Sequence, residues 1–214
     1  MNNKINFSFS EVKIELKSLH NENLELRNQI KLLNYLNQET EKGIKELKNF
    51  LLPTYSFIGI QNNIPISRLT DYDYSYVYNK PYNHATKSSE MDEIKNSCLP
   101  TTILCLGGRD STNDVLLVVS CALCSVVLAK TEKNTPNLHN GAYWYYSPDA
   151  NGSRSIGFAP NSGINQGNAD GIDQFNNQRV SWHLTGTNGG WRLGSLIALD
   201  NNTRYYKVIF KNRR

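Results

Sequence analysis

The chain has 214 residues, of which 39% are hydrophobic and 20% charged, and its formal net charge is +4. This length permits a core-forming domain together with an extension, and the composition supports a core while leaving part of the chain outside it. Lys and Arg alternate with Glu in the first part of the sequence and form no continuous basic face, so nucleic-acid binding is not indicated.

The first nine residues alternate polar and apolar types and lack the continuous apolar run of a secretory signal. The apolar run at 115–129 is too short for a convincing membrane-spanning helix. A cytoplasmic location is therefore favoured, although a signal that had already been removed would leave the same sequence.

A long amphipathic helix is predicted from Phe9 to about Leu51. Alternating steps of four and three residues from Ile5 meet an apolar residue at eleven of fourteen positions. No proline interrupts the segment until Pro53, which ends it. A straight helix drifts by roughly 20° per heptad against a 3.5-residue repeat, so a stripe kept over about six heptads favours a coiled coil over a helix packed on its own domain.

The register of this helix predicts a parallel homodimer. With Phe9 at position a, Leu predominates at d, and the a positions hold Ile together with two Asn, a pattern that favours two in-register strands. Apolar Leu36 and Phe50 widen the stripe, so a trimer is the alternative. The predicted oligomerisation residues are Leu16, Leu19, Asn23, Leu26, Ile30, Leu33, Asn37, Ile44 and Leu47.

A Tyr-rich segment follows the helix. A short strand is expected at Tyr55 to Ile60, and residues 72–78 alternate Tyr with small or polar residues, the period of a strand with one aromatic face. That face either binds a ligand or covers a core. A short helix is expected around Met91 to Ile94.

The last part of the chain reads as short strands separated by Gly, Asn and Pro turns, which predicts an all-β sandwich or barrel of antiparallel strands. Gly107-Gly108 is interpreted as one of the turns. The predicted strands are 101–106, 115–120, 125–130, 142–146, 155–158, 179–184, 191–193 and 205–211. The domain plan is thus a flexible N-terminus (1–8), a coiled-coil stalk (9–52), a connecting segment (53–100) and a β-rich recognition domain (101–214).

Four cysteines, Cys98, Cys105, Cys121 and Cys124, lie in or beside the apolar run. Free cysteine in such surroundings behaves as a small hydrophobe, so we expect reduced, buried thiols. The C-x-x-C spacing of Cys121 and Cys124 resembles half of a zinc site, but the Gly and Lys usual in a metal knuckle are missing. No metal or cofactor is expected.

The densest mixture of aromatic and polar residues lies near the end of the chain. Sugar sites combine an aromatic face with side chains that hydrogen-bond hydroxyl groups. We expect a ligand site around an exposed Trp191, unless the tryptophans are core residues. The candidate ligand-binding residues are Asn168, Asp170, His183, Trp191 and Arg192.

No recognisable catalytic constellation is present, so no enzymatic activity is expected. The favoured interpretation is an oligomeric, lectin-like recognition module that binds carbohydrate or a protein surface multivalently. The alternative is a structural or assembly protein, such as a coat, fibre or scaffold component, whose heads contact each other or neighbouring subunits. Sequons at Asn6, Asn151 and Asn201 would matter only if the chain were secreted.

Overall fold

The computed structural model describes residues 9–51, 58–150 and 154–212, and for residues 45–51 and Asn168 it describes the backbone alone. The chain divides into two compact units, Met1–Leu52 and Pro53–Arg214. None of the described helices is both long and apolar enough to cross a bilayer.

The described part of the first unit is the helix α1 (Phe9–Leu51), so the predicted helix is confirmed. At 1.5 Å per residue it is on the order of 65 Å long. The stripe of apolar side chains is exposed on the single chain, for example at Leu16 (62%) and Ile30 (56%). The Asn23 side-chain amide donates to the Leu19 carbonyl of the same helix. Pairing of chains along this stripe remains a prediction, and the Leu47 and Phe50 side chains lie outside the described residues.

The second unit contains two antiparallel five-stranded sheets. The first sheet has the order β1-β4-β3-β10-β2. Its strands are β1 (Ile60–Pro65), β2 (Tyr74–Pro81), β3 (Ile103–Asp110), β4 (Val115–Leu123) and β10 (Tyr205–Asn212). Two of them, β1 and β2, come from the predicted connecting segment, residues 53–100.

The second sheet follows chain order, β5-β6-β7-β8-β9. Its strands are β5 (Asn137–His139), β6 (Ala142–Ser147), β7 (Ser155–Ala159), β8 (Val180–His183) and β9 (Gly190–Leu193). The remaining elements are the helices α2 (Ser67–Thr70), α3 (Ser88–Asn96) and α4 (Cys124–Val127), and the 3-10 turn η1 (Gln166–Asn168). The helix expected near Met91 is thus confirmed as α3, whereas the strand expected at 125–130 is wrong because α4 occupies its start.

Both sheets contribute to one hydrophobic core. Leu106, Val118 and Ile209 of the first sheet belong to the same buried cluster as Trp144 and Trp182 of the second. Tyr78 stacks on Trp182 with ring centroids 5.7 Å apart. The tryptophans on β6 and β8 are therefore core residues and do not form a binding face.

Gly107 and Gly108 lie inside β3, so their interpretation as a turn is wrong. A Cβ on Gly107 would lie 2.4 Å from the Val118 carbonyl oxygen, and one on Gly108 would lie 2.5 Å from Leu193 Cδ1. The second of these contacts reaches β9. Gly107 is needed because the neighbouring strand β4 approaches closely, and Gly108 leaves room for the Leu193 side chain of the opposing sheet.

The tyrosines of β2 do not share one face. The pairing of β10 with β2 shifts by one residue between Ile209 and Phe210, opposite Val77. Because a one-residue shift moves the following side chains to the other face, Tyr78 joins the core between the sheets whereas Tyr74 joins a second cluster with Phe210. Both tyrosines are buried.

The four cysteines form two disulfides, Cys98–Cys124 and Cys105–Cys121, so the expectation of reduced thiols is wrong. Cys105 and Cys121 face each other because β3 pairs with β4 in that register. The C-x-x-C pair is divided between the two bridges, which leaves neither sulfur as a thiolate ligand.

Candidate functional site

A pocket of about 230 Å³ lies beside the β8–β9 hairpin. It is built from segments that are distant in sequence: the residue before β7, the η1 turn, the end of β8, the β8–β9 turn, the start of β9 and the loop before β10. Its lining residues are Arg154, Gly167, His183, Thr185, Asn188, Trp191 and Asp200.

The turn between β8 and β9 is fixed by its own side chains. Thr185 Oγ1 accepts hydrogen bonds from the backbone nitrogens of Thr187 (3.3 Å) and Asn188 (3.2 Å). A Cβ on Gly189 would lie 2.1 Å from the Tyr82 carbonyl oxygen, so only glycine fits at this point. The turn therefore holds the exposed Asn188 in one place at the pocket.

His183 and Trp191 form the aromatic part of the pocket. Their rings meet edge to face with centroids 6.3 Å apart, and both side chains are half-buried. Burial lowers the pKa of His183, the negative charge of Asp200 partly offsets this, and the positive charge of Lys207 lowers the pKa further. The imidazole is therefore neutral at pH 7 and offers one nitrogen as donor and the other as acceptor.

Strand alternation explains which aromatic residues reach the pocket. Trp182 and Leu184 are buried on either side of half-buried His183, as period-two alternation predicts. On β9 the half-buried Trp191 is followed by the fully buried Arg192. The two neighbours on β9 thus have different environments, and only Trp191 lines the pocket.

Asp170 is a buried structural group and does not line the pocket. Its carboxylate forms an ion pair with Arg179 at 2.8 Å, and both side chains are almost completely inaccessible. It also accepts a hydrogen bond from the Ile172 backbone nitrogen. Arg179 in turn donates to the Gly163 carbonyl and to Asn161 Oδ1, each at 2.9 Å. The pair fixes the long loop before β8.

Arg192 fixes the same loop from the other side. Its guanidinium donates to the carbonyls of Ile172, Asp173 and Asn176, and its Nε donates to the Gly194 carbonyl at 2.7 Å. Burial lowers the pKa of Arg192, and the negative charge of Asp170 opposes that effect. The side chain supplies donors to loop carbonyls that have no strand partner.

The structure brings together two of the five residues that were predicted to form a ligand site. His183 and Trp191 line one pocket, whereas Asp170 and Arg192 belong to the buried network under the neighbouring loop. The Asn168 side chain lies outside the described residues. The correction has a physical reason: the polar sequence of this loop indicated exposure, but a loop packed against a sheet must bury polar partners for its backbone.

Four polar lining residues were not among the candidates: Arg154, Thr185, Asn188 and Asp200. The Thr-Gly-Thr-Asn-Gly-Gly run at 185–190 was the available signal for two of them, since a turn that joins two strands presents polar side chains beside their ends. Arg154 and Asp200 carry no local signal because they reach the pocket from distant segments.

A second cavity, of about 360 Å³, lies beside β2 and β10. Its lining includes aliphatic Val77 and Leu99, and the Lys211 ammonium donates to Ser97 Oγ at 3.0 Å. The charged group of this cavity is thus already bound within the chain, so it is a weaker candidate than the pocket at Trp191.

Within the described ranges, no group of three or more His, Cys, Asp or Glu side chains is arranged to hold a metal ion.

No family model, no curated protein and no solved structure matches this chain.

Proposed function

We propose that this chain is a non-enzymatic recognition protein, in which α1 self-associates and the β-rich unit binds carbohydrate in the pocket at Trp191. The observation that carries the proposal is the composition of that pocket, a half-exposed indole surrounded by neutral and charged hydrogen-bonding groups.

The chemistry of the lining suits a sugar. An indole face stacks on the apolar side of a pyranose ring, while the Asp200 carboxylate accepts from hydroxyl groups and Arg154 donates to them. A volume of about 230 Å³ is below the roughly 300–1,000 Å³ of pockets for drug-sized ligands. A single sugar unit is therefore the size of ligand that we expect the pocket to take.

Binding is favoured over hydrolysis by the number of carboxylates. Most glycoside hydrolases need a pair of carboxyl groups on either side of the scissile bond. Asp200 is the one carboxylate among the described lining residues. Asp170, three residues after the lining residue Gly167, is held in its buried ion pair with Arg179.

Self-association through α1 would compensate for weak binding at each site. The exposed stripe on α1 offers apolar area that a second copy would cover. Linking two or three weak sites raises the apparent affinity by roughly 10² to 10⁴ without new contacts.

The proposal is tested by glycan-array binding with the intact chain and two variants. Trp191→Ala removes the indole of the pocket, and Phe175→Ala is the matched control because it removes an aromatic that is 92% exposed outside the pocket. We expect saturable binding of at least one glycan by the intact chain and by Phe175→Ala, with loss of about 0.5 to 1.5 kcal/mol per site for Trp191→Ala. Equal binding by both variants would refute this site.

The same sample decides whether Trp191 is mainly a core residue. A folded Trp191→Ala variant with weaker binding supports the pocket. A cost of roughly 3 to 5 kcal/mol in unfolding free energy, typical of a truncated core aromatic, would remove Trp191 from the site.

An assembly role is the second candidate, favoured by the exposed Phe175 and Ile172. They lie on the loop that Arg179 and Arg192 hold in place, so the pair is presented on a fixed support. Light scattering separates the two functions: association beyond a dimer or trimer that Phe175→Ala abolishes would support assembly.

A further inference from the structure

The loop between β9 and β10 carries the sequence Asn201-Asn202-Thr203. This matches the Asn-x-Ser/Thr acceptor pattern for N-linked glycans, and the middle residue is not proline. Both Asn201 and Thr203 are exposed in the folded chain. The other two sequons, at Asn6 and Asn151, lie outside the described residues.

The two adjacent asparagines have different structural roles. Asn202 Oδ1 accepts from the backbone nitrogens of Arg204 (2.8 Å) and Tyr205 (3.1 Å), and its own backbone nitrogen donates to the Leu199 carbonyl. The Asn202 carbonyl also accepts from the Asn83 nitrogen at 2.9 Å. Asn202 is therefore needed to shape the turn.

Asn201 is held much more loosely. The contact of its side-chain amide is a long hydrogen bond of 3.3 Å from Nδ2 to Asp200 Oδ2, at the exposed surface. An exposed hydrogen bond of this length contributes little, so a substituent on Nδ2 can replace it without unfolding the turn. The turn thus presents one asparagine outward while its neighbour holds the backbone.

The cysteine chemistry indicates a compartment in which such a site is used. All four cysteines are paired, as Cys98–Cys124 and Cys105–Cys121. Disulfides of this kind persist in oxidising surroundings, mainly the secretory pathway and the cell exterior, and are rare in the cytosol. The bridges thus indicate surroundings in which the exposed sequon could be used.

We propose that Asn201 is an N-glycan acceptor. The donor is an oligosaccharide linked through its anomeric carbon to a lipid pyrophosphate. Asn201 Nδ2 forms a bond to that carbon, the bond from the carbon to the pyrophosphate oxygen breaks, the lipid pyrophosphate leaves with the electron pair, and Nδ2 loses one proton. No electron transfer is involved.

A glycan at this position would stand next to the pocket. Asp200, the residue before the acceptor, lines the pocket and approaches the Asn201 amide. The first sugar of the glycan would replace this contact at the pocket edge. The acceptor proposal does not depend on what the pocket binds.

The test uses the full chain, produced behind a cleavable secretion signal in a eukaryotic cell. Secreted and microsomal chains are digested with and without peptide-N-glycosidase, and the peptide that contains residue 201 is mapped by mass spectrometry under non-reducing conditions. We expect a glycan at residue 201 that the enzyme removes, leaving aspartate, together with the two cysteine pairs.

Two variants at exposed positions serve as controls. Asn201→Gln removes the acceptor and should abolish the glycan on this peptide, whereas Thr203→Ser keeps the sequon and should retain it. Both should keep the melting temperature of the enzymatically deglycosylated chain, since neither residue is buried. An unmodified residue 201 in a chain with its disulfides formed, from either fraction, would overturn the proposal.

Discussion

Lys207 should make the β-rich unit more stable as the pH rises from 7 to 9. The residue lies on β10 and is 0% exposed. Its ammonium donates to the His84 carbonyl at 2.6 Å and to Thr86 Oγ1 at 2.5 Å. Burial lowers the pKa of Lys207 to about 7, although the negative charge of Glu90 opposes the effect.

The direction of this change in stability follows from the number of protons that the folded and unfolded states bind. The unfolded chain holds the Lys207 proton up to a pKa of about 10.4, whereas the folded chain releases it near pH 7. Between these values the unfolded state binds more protons, so the free energy of unfolding increases with pH. A difference of one bound proton changes the free energy of unfolding by about 1.4 kcal/mol per pH unit. Because folded Lys207 is still about half protonated at pH 7, the gain between pH 7 and pH 9 is about 2 kcal/mol.

Urea unfolding at pH 7, 8 and 9, followed by tryptophan fluorescence, measures this gain. All three tryptophans lie in the second unit, so the signal reports on that unit. The range avoids the region below pH 6.5, where the lowered pKa of His183 matters, and the region near pH 10, where unfolded tyrosines ionise. Lys207→Met should remove most of the slope, while Lys80→Met, at an exposed position on β2, should keep it. A wild-type chain with equal stability at pH 7 and pH 9 would refute the reasoning.

Three further outcomes are expected. Asn37→Ile should raise the melting temperature of α1, measured by circular dichroism, and broaden its stoichiometry, measured by light scattering, because a buried polar residue at position a lowers stability but fixes the register. A variant that melts at a lower temperature and remains a pure dimer would contradict the predicted register. Arg192→Met should lower the free energy of unfolding by about 3 kcal/mol, because buried loop carbonyls lose a charged donor, and should make residues 161–178 sensitive to limited proteolysis. Unchanged resistance to proteolysis would contradict the role of Arg192 in holding this loop. Deletion of residues 1–52 should leave a folded monomer, because residues 58–212 contain their own core; loss of the near-ultraviolet tryptophan signal would argue against it.

Sequence patterns predicted the helices and strands that are determined by residues close together in the chain. The helix α1 was predicted because its apolar repeat is long and Pro53 follows it. Most strands were predicted from apolar runs between turn residues. The local pattern is ambiguous at Gly107-Gly108, because glycine is typical both of a turn and of a strand that is closely approached by its neighbours. The contacts that distinguish the two come from Val118 and Leu193, which are distant in sequence.

Features that depend on register or on distant partners could not be predicted. Cys105 and Cys121 face each other only because β3 pairs with β4 in one register. The roles of Asp170 and Arg192 depend on a loop that folds back over their side chains, which composition does not show. For the pocket, the sequence indicated His183 and Trp191, which lie on neighbouring strands, but missed Asp200, which arrives from the loop before β10.

The position of β10 in the first sheet has a consequence for the order of folding. It is the latest strand in chain order, yet it lies between β3 and β2. While the ribosome makes everything between Pro81 and Tyr205, β2 has no neighbour in its sheet. Pairings this distant in sequence form slowly, and an unpaired strand is prone to aggregation. The helix α1, whose hydrogen bonds are all local, can form long before that sheet is complete.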